Sequence, residues 1–290
     1  MNSLLYLAYG YNDICSEALY SILSYNKVAQ ESPANICVYT DRPEEFQKVL
    51  GERTDVKYPA ISPEQWQAWY GSRVYLLKIA VLEHAAAHYA GNLLFVDTDT
   101  IWIRDPAPIF QAIARGQRFM HICEGTMAEG NELSRKIYRR LNRHQWHIGS
   151  YSLHIHATTQ LYNSGVIGLS SPAVKALPDV RELAEALYSS YNRHIMEQLA
   201  FSMRFQVDGS IAEAAPYVLH YWNLKSIRPT MAQLFQKYQH YGPDELYERA
   251  TRLDIPRLHH EELAYRNLPR WRRTMLKLMG RHWRLPKLEV

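Results

Sequence analysis

Leu93-Leu94-Phe95-Val96-Asp97-Thr98-Asp99-Thr100-Ile101-Trp102 sets four apolar residues directly before two acids spaced two apart. An unbroken apolar run of this length reads as a strand buried on both faces, the kind found inside a parallel sheet. Open α/β sheets bind ligands in the crevice beyond the carboxyl ends of their strands, so the two acids fall where a ligand would lie. The flanking chain supports such a sheet. Leu4–Ala8 reads as a first strand, and Ser16–Ser24 as a helix with apolar residues at 18, 19, 22 and 23. Strand Asn35–Tyr39, helix Pro43–Leu50, strand Val56–Tyr58, helix Val74–Ala90 and strand Asn92–Val96 follow. This alternation predicts an α/β fold with a mostly parallel sheet and flanking helices.

Beyond the acids, Arg118–Cys123 is expected to be one strand, Glu124–Thr159 a polar and aromatic insertion, and Leu161–Leu169 another strand. Ala173–Tyr191 and Met196–Phe205 read as helices, Tyr217–Trp222 as strand-like, and the chain past Pro229 as short amphipathic helices. The expected organisation is a ligand-binding domain over residues 1–228, with 124–160 inserted in it, and a helical basic region over 229–290.

Composition narrows the class. With 290 residues, 47% hydrophobic and 21% charged, most of the chain has the make-up of an ordinary folded domain. The formal charge is only +4, yet Arg270–Lys287 contains many Lys and Arg and no acid, so the basicity is local. Cys15, Cys37 and Cys123 are widely spaced and odd in number, which fits a reducing compartment and neither a disulfide framework nor a zinc site. The apolar start, Leu4–Ala8, is strand-sized and lacks a basic flank, which argues against a secretory signal. No run of membrane-spanning length occurs, so the expectation is a cytoplasmic protein, with peripheral attachment to the membrane's inner face left open for its tail.

Two carboxylates this close can share one hard divalent cation, Mg²⁺ or Mn²⁺, which takes oxygen ligands and usually completes its shell with substrate phosphates. The plainer reading makes Asp97 and Asp99 turn formers or helix caps. Company decides between them. Lys78 precedes the strand, Arg104-Asp105-Pro106 follows it, and Tyr162-Asn163-Ser164-Gly165-Val166-Ile167-Gly168-Leu169 comes later in the same order. From about Ser3 to Lys225 this series resembles glycosyltransferase family 8, which includes bacterial lipooligosaccharide galactosyltransferases and glycogenin. The resemblance implies a GT-A fold, a nucleotide-sugar donor, usually a UDP-sugar, retention of anomeric configuration, and Mn²⁺ (or Mg²⁺) held by Asp97 and Asp99.

The resemblance extends to single positions. Ala8, Tyr9, Tyr11 and Asn12 after the first strand, with Asp41 after the second, occupy the family's base- and ribose-binding places, the tyrosines being equally readable as loop packing. Lys78 takes the place of the basic residue facing the donor phosphates, with Arg73 a competing choice; Thr98 sits between the two acids on the donor side. Asn163-Ser164-Gly165 resembles the segment whose Asn pairs sugar hydroxyls and whose Gly admits a close backbone approach, or it is a Gly bulge. Glu197 and Gln198 match the family's acid and amide beside the reacting sugar, while Leu199 replaces a second acid. His220 matches the third metal ligand and Lys225 the lysine on the diphosphate, although Asn223 stands where Gly is expected and Lys225 follows His220 by five residues rather than six.

His144, His147, His154 and His156 lack zinc-site spacing and read as surface or acceptor-side residues. Basic residues mixed with Trp, Leu and Met in Leu268–Arg284 suit a helix lying on anionic lipid, and no base-reading motif supports nucleic acid. The acceptor is expected to be a glycan or a lipid-linked sugar. Two rivals remain at this stage. A nucleotidyltransferase of similar fold would carry a Gly-rich basic loop, which Gly10-Tyr11-Asn12-Asp13 is not; a sugar-binding relative would keep the fold without turnover.

Overall fold

The computed structural model describes residues 1–30, 34–70 and 76–287. Its first half runs β1 (Asn2–Ala8), α1 (Asn12–Val28), β2 (Asn35–Thr40), α2 (Pro43–Leu50), β3 (Val56–Lys57), α3 (Pro63–Tyr70), α4 (Leu77–His88), β4 (Asn92–Val96) and β5 (Thr100–Trp102). Then come α5 (Ala107–Ala114), β6 (Arg118–Met120), β7 (Cys123–Thr126), α6 (Glu132–Leu141), β8 (Gln145–Ile148), β9 (Tyr151–His154), β10 (Gln160–Tyr162) and β11 (Val166–Leu169). The chain ends with α7 (Leu177–Ser190), α8 (Met196–Val207), β12 (Ile211–Glu213), β13 (Val218–His220), α9 (Arg228–Tyr238), α10 (Pro243–Thr251), α11 (Ile255–Arg266) and α12 (Arg270–Leu278).

The central sheet has the order β12-β6-β11-β4-β1-β2-β3. β1 pairs in parallel with β2 and β4, β2 with β3, and β12 with β6, while β11 runs antiparallel to both β4 and β6. This is the mostly parallel α/β architecture expected. β4 is hydrogen-bonded along both edges and covered on both faces, which is why it reads as a continuous apolar run. Its side chains alternate between two cores. Leu94 and Val96 join Leu4, Tyr6 and Ala8 of β1 on one face, and Leu93 and Phe95 join Leu5 on the other. α1, α5, α9 and α10 cover the first face; α4, α7 and α8 cover the second.

Two expected strands are each broken in two. Arg118–Cys123 ends as β6 at Met120, and β7 leaves the central sheet to pair with β10. Leu161–Leu169 is likewise split by Asn163-Ser164-Gly165 into β10 and β11. The two breaks hold each other open, because His121 donates its N–H to Asn163 O (2.9 Å) and Asn163 donates its N–H to Ile122 O (2.8 Å). Backbone groups freed from one ladder are satisfied across the gap, and the Asn163 side chain is released into a cavity. The Glu124–Thr159 stretch carries α6 and the β8–β9 hairpin, whose Ile137, Leu141, Trp146, Ile148 and Leu153 are buried in the same core as Leu93 and Phe95.

β13 pairs antiparallel with β5 in the register His220↔Thr100. That pairing carries His220 from far along the sequence to the residue beside Asp99. Past it, Ile227, Met231, Leu234, Phe235, Leu246, Ala250, Ile255 and Leu258 enter the core of α1 and β1. α12 differs from every other helix named: no residue in it is buried. None of the described helices is long and apolar enough to cross a membrane.

Candidate active site

The carboxyl ends of β1, β2 and β4 lie side by side because the strands are parallel and paired. Asp97 follows β4 directly, and its N–H donates to Gly165 O at 2.8 Å. Lys78, in the first turn of α4, brings its ammonium to 3.0 Å from Asp97 Oδ1 and donates to Ser164 O at 2.8 Å. Burial alone would lower the Lys78 pKa; the charges of Asp97 and Glu197 outweigh it and raise it, so the lysine stays charged. A largely enclosed cation thus stands beside the first acid of the pair.

Asp99, His220 and Asp97 form one cluster whose potential ligand atoms all lie within 4.8 Å of one another. His220 Nε2 is 3.1 Å from Asp99 Oδ1 and 3.9 Å from Asp97 Oδ2. Burial pushes the Asp99 carboxyl up, but His220 and Arg228 overcome it and hold the group below the usual carboxylate range. Burial likewise pulls His220 down while Asp99 and Asp97 pull it up, with a net rise. Two oxygens and one imidazole nitrogen suit Mn²⁺ or Mg²⁺, with open positions left for a substrate.

The rest of the site orients these ligands. Asn163 Oδ1 accepts the N–H of Gly165 at 2.9 Å and lies 3.0 Å from His220 Nδ1. Since that oxygen can only accept, Nδ1 carries a hydrogen; Nε2 faces Asp99, to which it donates when the ring is protonated, and offers a lone pair there only when a cation takes that proton's place. Asn163 Nδ2 donates to Glu124 Oε1 at 3.0 Å, and Gln198 Nε2 donates to Glu124 Oε2 at 3.1 Å. Gly165 is fixed by space: a Cβ there would overlap His220 Nδ1 and Cε1.

These residues open onto a cavity of about 680 Å³, in the range of small-molecule sites. Asp97, Asp99, Asn163, Ser164, Gly165, Gln198, His220 and Lys225 line it. Glu197 sits beneath. It is buried, Ser164 Oγ donates to its Oε2 at 3.3 Å, and its Oε1 has no hydrogen-bond partner among the described residues. Burial, against the pull of Lys78, drives its pKa up to about 7. Thr98 is buried between the acids.

The loop candidates are near but separate. Ala8 pairs with Thr40 at the same ends of β1 and β2, Gly10 donates its N–H to Asp41 Oδ1 at 3.1 Å, and the Tyr9 ring packs tilted against Trp66 with ring centres 4.5 Å apart. Tyr11 is exposed, and Asn12 borders a different hollow with Cys15, Ser16 and residues of α2 and α9. None of Ala8, Tyr9, Tyr11, Asn12 and Asp41 lines the cavity of the acids. Arg73 lies outside the described residues.

Four residues that the sequence did not single out belong to the site. Glu124 holds both amides, Trp222 forms an exposed aromatic wall of the cavity, Arg228 touches Asp99, and Glu17 backs Arg228. Glu124 lies in β7, at the start of the stretch read from the sequence as an insertion. Glu17 and Arg228 carry no local signal in the sequence.

No protein-family model matches the chain, and no curated protein sequence matches it. Solved structures do resemble it. The galactosyltransferase LgtC in complex with donor and acceptor sugar analogues aligns over 73% of this chain and 73% of its own, at 11% identity and a TM-score of 0.49. Mouse xyloside xylosyltransferase 1, in its apo form, aligns over 80% of this chain and 92% of its own, at 12% identity and a TM-score of 0.48. At these scores the likeness decides nothing about function.

Proposed function

We propose that the chain is a metal-dependent GT-A glycosyltransferase that moves a sugar from a nucleotide-sugar, a UDP-sugar by preference, to a glycan or lipid-linked acceptor. One observation carries this reading: Asp97, Asp99 and His220 converge at the carboxyl end of a parallel sheet, with Lys78 beside them and Lys225 across a shared cavity. Asp97, Asp99 and His220 would hold Mn²⁺ or Mg²⁺, which supplies charge neutralisation of the departing diphosphate. Lys78 and Lys225 add further cationic charge. As the bond from the anomeric carbon to the phosphate oxygen breaks, an acceptor hydroxyl forms the new bond to that carbon and its proton passes to the departing diphosphate.

Gln198, the member of the catalytic pair that faces the cavity, is assigned the place beside the anomeric carbon, and configuration is retained. Glu197 supports from below through Ser164. Trp222, at the mouth with His194, Ile195 and Leu133, offers a flat apolar face for an acceptor sugar. In the tail, Trp271, Met275, Leu278 and Met279 are exposed at helical spacing among Arg270, Arg272, Arg273 and Lys277, which favours an anionic lipid surface as a second partner. Membrane contact there would put the enzyme on the cytoplasmic face beside lipid-linked acceptors.

Mn²⁺-dependent release of UDP from a panel of UDP-sugars tests the activity. The wild-type chain releases UDP with at least one donor, and Asp99→Ala reduces release to background while the circular dichroism spectrum is unchanged. Full activity in that variant would remove the metal from the mechanism.

A further inference from the structure

Glu17 lies in the middle of α1, with a completely buried side chain. A lone carboxylate in such a place carries a heavy desolvation cost unless a cation meets it. Arg228, the first residue of α9, supplies that cation, with its Nε 2.9 Å from Glu17 Oε2. Among the described residues neither Glu17 oxygen completes a well-aligned hydrogen bond, and the ion pair with Arg228 offsets only part of the cost, since burial and the nearby Asp99 still hold the Glu17 pKa above the usual carboxylate range. The same guanidinium turns its Nη2 toward Asp99 Oδ2 at 3.7 Å.

Asp99 is thereby held from two sides. His220 lies against Oδ1 at 3.1 Å, and Arg228 lies against Oδ2. The guanidinium charge near Oδ2 biases the rotation of the carboxylate towards leaving Oδ1 in the space shared with Asp97 and His220. Unanchored, a cationic side chain this close would be free to swing onto the acids and compete with a bound cation. Glu17 prevents that by occupying the Nε edge of the guanidinium. The arrangement needs arginine: a planar fork presents two N–H edges at once, and the single ammonium of lysine does not.

We propose that Arg228, anchored by Glu17, is a positioning residue that sets the orientation of the metal-ligating carboxylate of Asp99. This rests on the metal reading given above. Partners that orient a ligating carboxylate commonly change metal affinity by about 10- to 100-fold when removed. Through Arg228 the affinity of the site depends on how α9 packs against α1, two helices joined in one core.

The test is Arg228→Lys, which keeps the charge and the partner for Glu17 but loses the second contact. Free Mn²⁺ is titrated by electron paramagnetic resonance, and thermal melting is followed in EDTA and in Mn²⁺. Arg228→Lys is expected to melt like the wild type in EDTA, to bind Mn²⁺ about 10-fold or more weakly, and to lose most of the Mn²⁺-induced rise in melting temperature. Should Arg228→Lys fail to fold, Glu17→Gln, which keeps Arg228 but frees its Nε edge, must show the same weakening. A folded variant of either kind with wild-type Mn²⁺ affinity overturns the role of Arg228. A wild-type chain that takes up no Mn²⁺ overturns the metal reading along with it, which separates the two failures.

Discussion

Asn163 Oδ1 lies 3.0 Å from His220 Nδ1, and this contact decides which ring nitrogen faces the acids. The amide oxygen is committed because it also takes the Gly165 N–H, while the amide NH₂ is committed to Glu124. Asn163→Ala is therefore expected to free the Nδ1 side of the His220 ring without touching a ligand. Mn²⁺ affinity should fall about 10- to 100-fold, and nitrogen NMR of the metal-free chain should show the Nδ1–H hydrogen bond of His220 lost while Nε2 keeps its bond to Asp99. A variant that binds Mn²⁺ as tightly as the wild type would mean that the ring is held by its packing alone.

Asp97 and Asp99 stand out through a local pattern, an apolar run, its end and two acids, to which distant motifs such as Asn163-Ser164-Gly165 add the weight that a two-acid pair lacks alone. His220 was legible only through the order of motifs, since nothing in Leu219-His220-Tyr221 announces the His220↔Thr100 register that delivers it. The strand breaks at His121-Ile122 and at Asn163-Ser164-Gly165 were not legible, because apolar residues run on both sides and the breaks arise from backbone bonds made to each other. Nothing in the sequence around Glu17 marks it out. Its role depends on the docking of α9 onto α1, a contact between opposite ends of the chain that no local pattern encodes.

Gly165→Ala should be the most damaging small change at the site. The added methyl must displace His220 or the backbone after β10, and neither has room: His220 is buried and tied to Asn163 and Asp99. Loss of Mn²⁺ binding is expected, together with a destabilisation of about 1–3 kcal/mol from overpacking, read by denaturant titration. Wild-type metal affinity in this variant would show that the ring can move without losing the site.

Glu197 gives a pH prediction. Its folded pKa of about 7 lies above the ordinary carboxylate value, so the folded chain binds the proton more tightly than the unfolded one. Stability from this group is full at low pH and is lost as pH rises from about 4.3 towards 7. Glu197→Gln, which can still accept from Ser164, should remove that loss. In EDTA, the variant's stability relative to wild type should therefore be about 2 kcal/mol better at pH 8 than at pH 5, measured by urea unfolding at both values. A pH-independent difference would mean that Lys78 keeps the carboxylate ionised throughout.

The tail yields the last prediction. Trp271, Met275 and Leu278 are 65%, 51% and 84% exposed, a loss of apolar burial that a helix in water gains nothing from. The basic residues between them have no acidic partner on α12, so both the apolar stripe and the charge are free for a surface that offers hydrocarbon and anions together. Sedimentation with vesicles should show the chain bound to phosphatidylglycerol and not to phosphatidylcholine. Each basic residue near such a surface contributes about 1 kcal/mol at low salt, so binding should weaken steeply as salt is raised. Trp271→Ser with Leu278→Ser should weaken it at every salt concentration by removing the apolar part, and should leave Mn²⁺-dependent UDP release unchanged because α12 contributes nothing to the cavity lining. If the double variant binds vesicles as well as the wild type, the contact is made by charge alone and the stripe serves another surface.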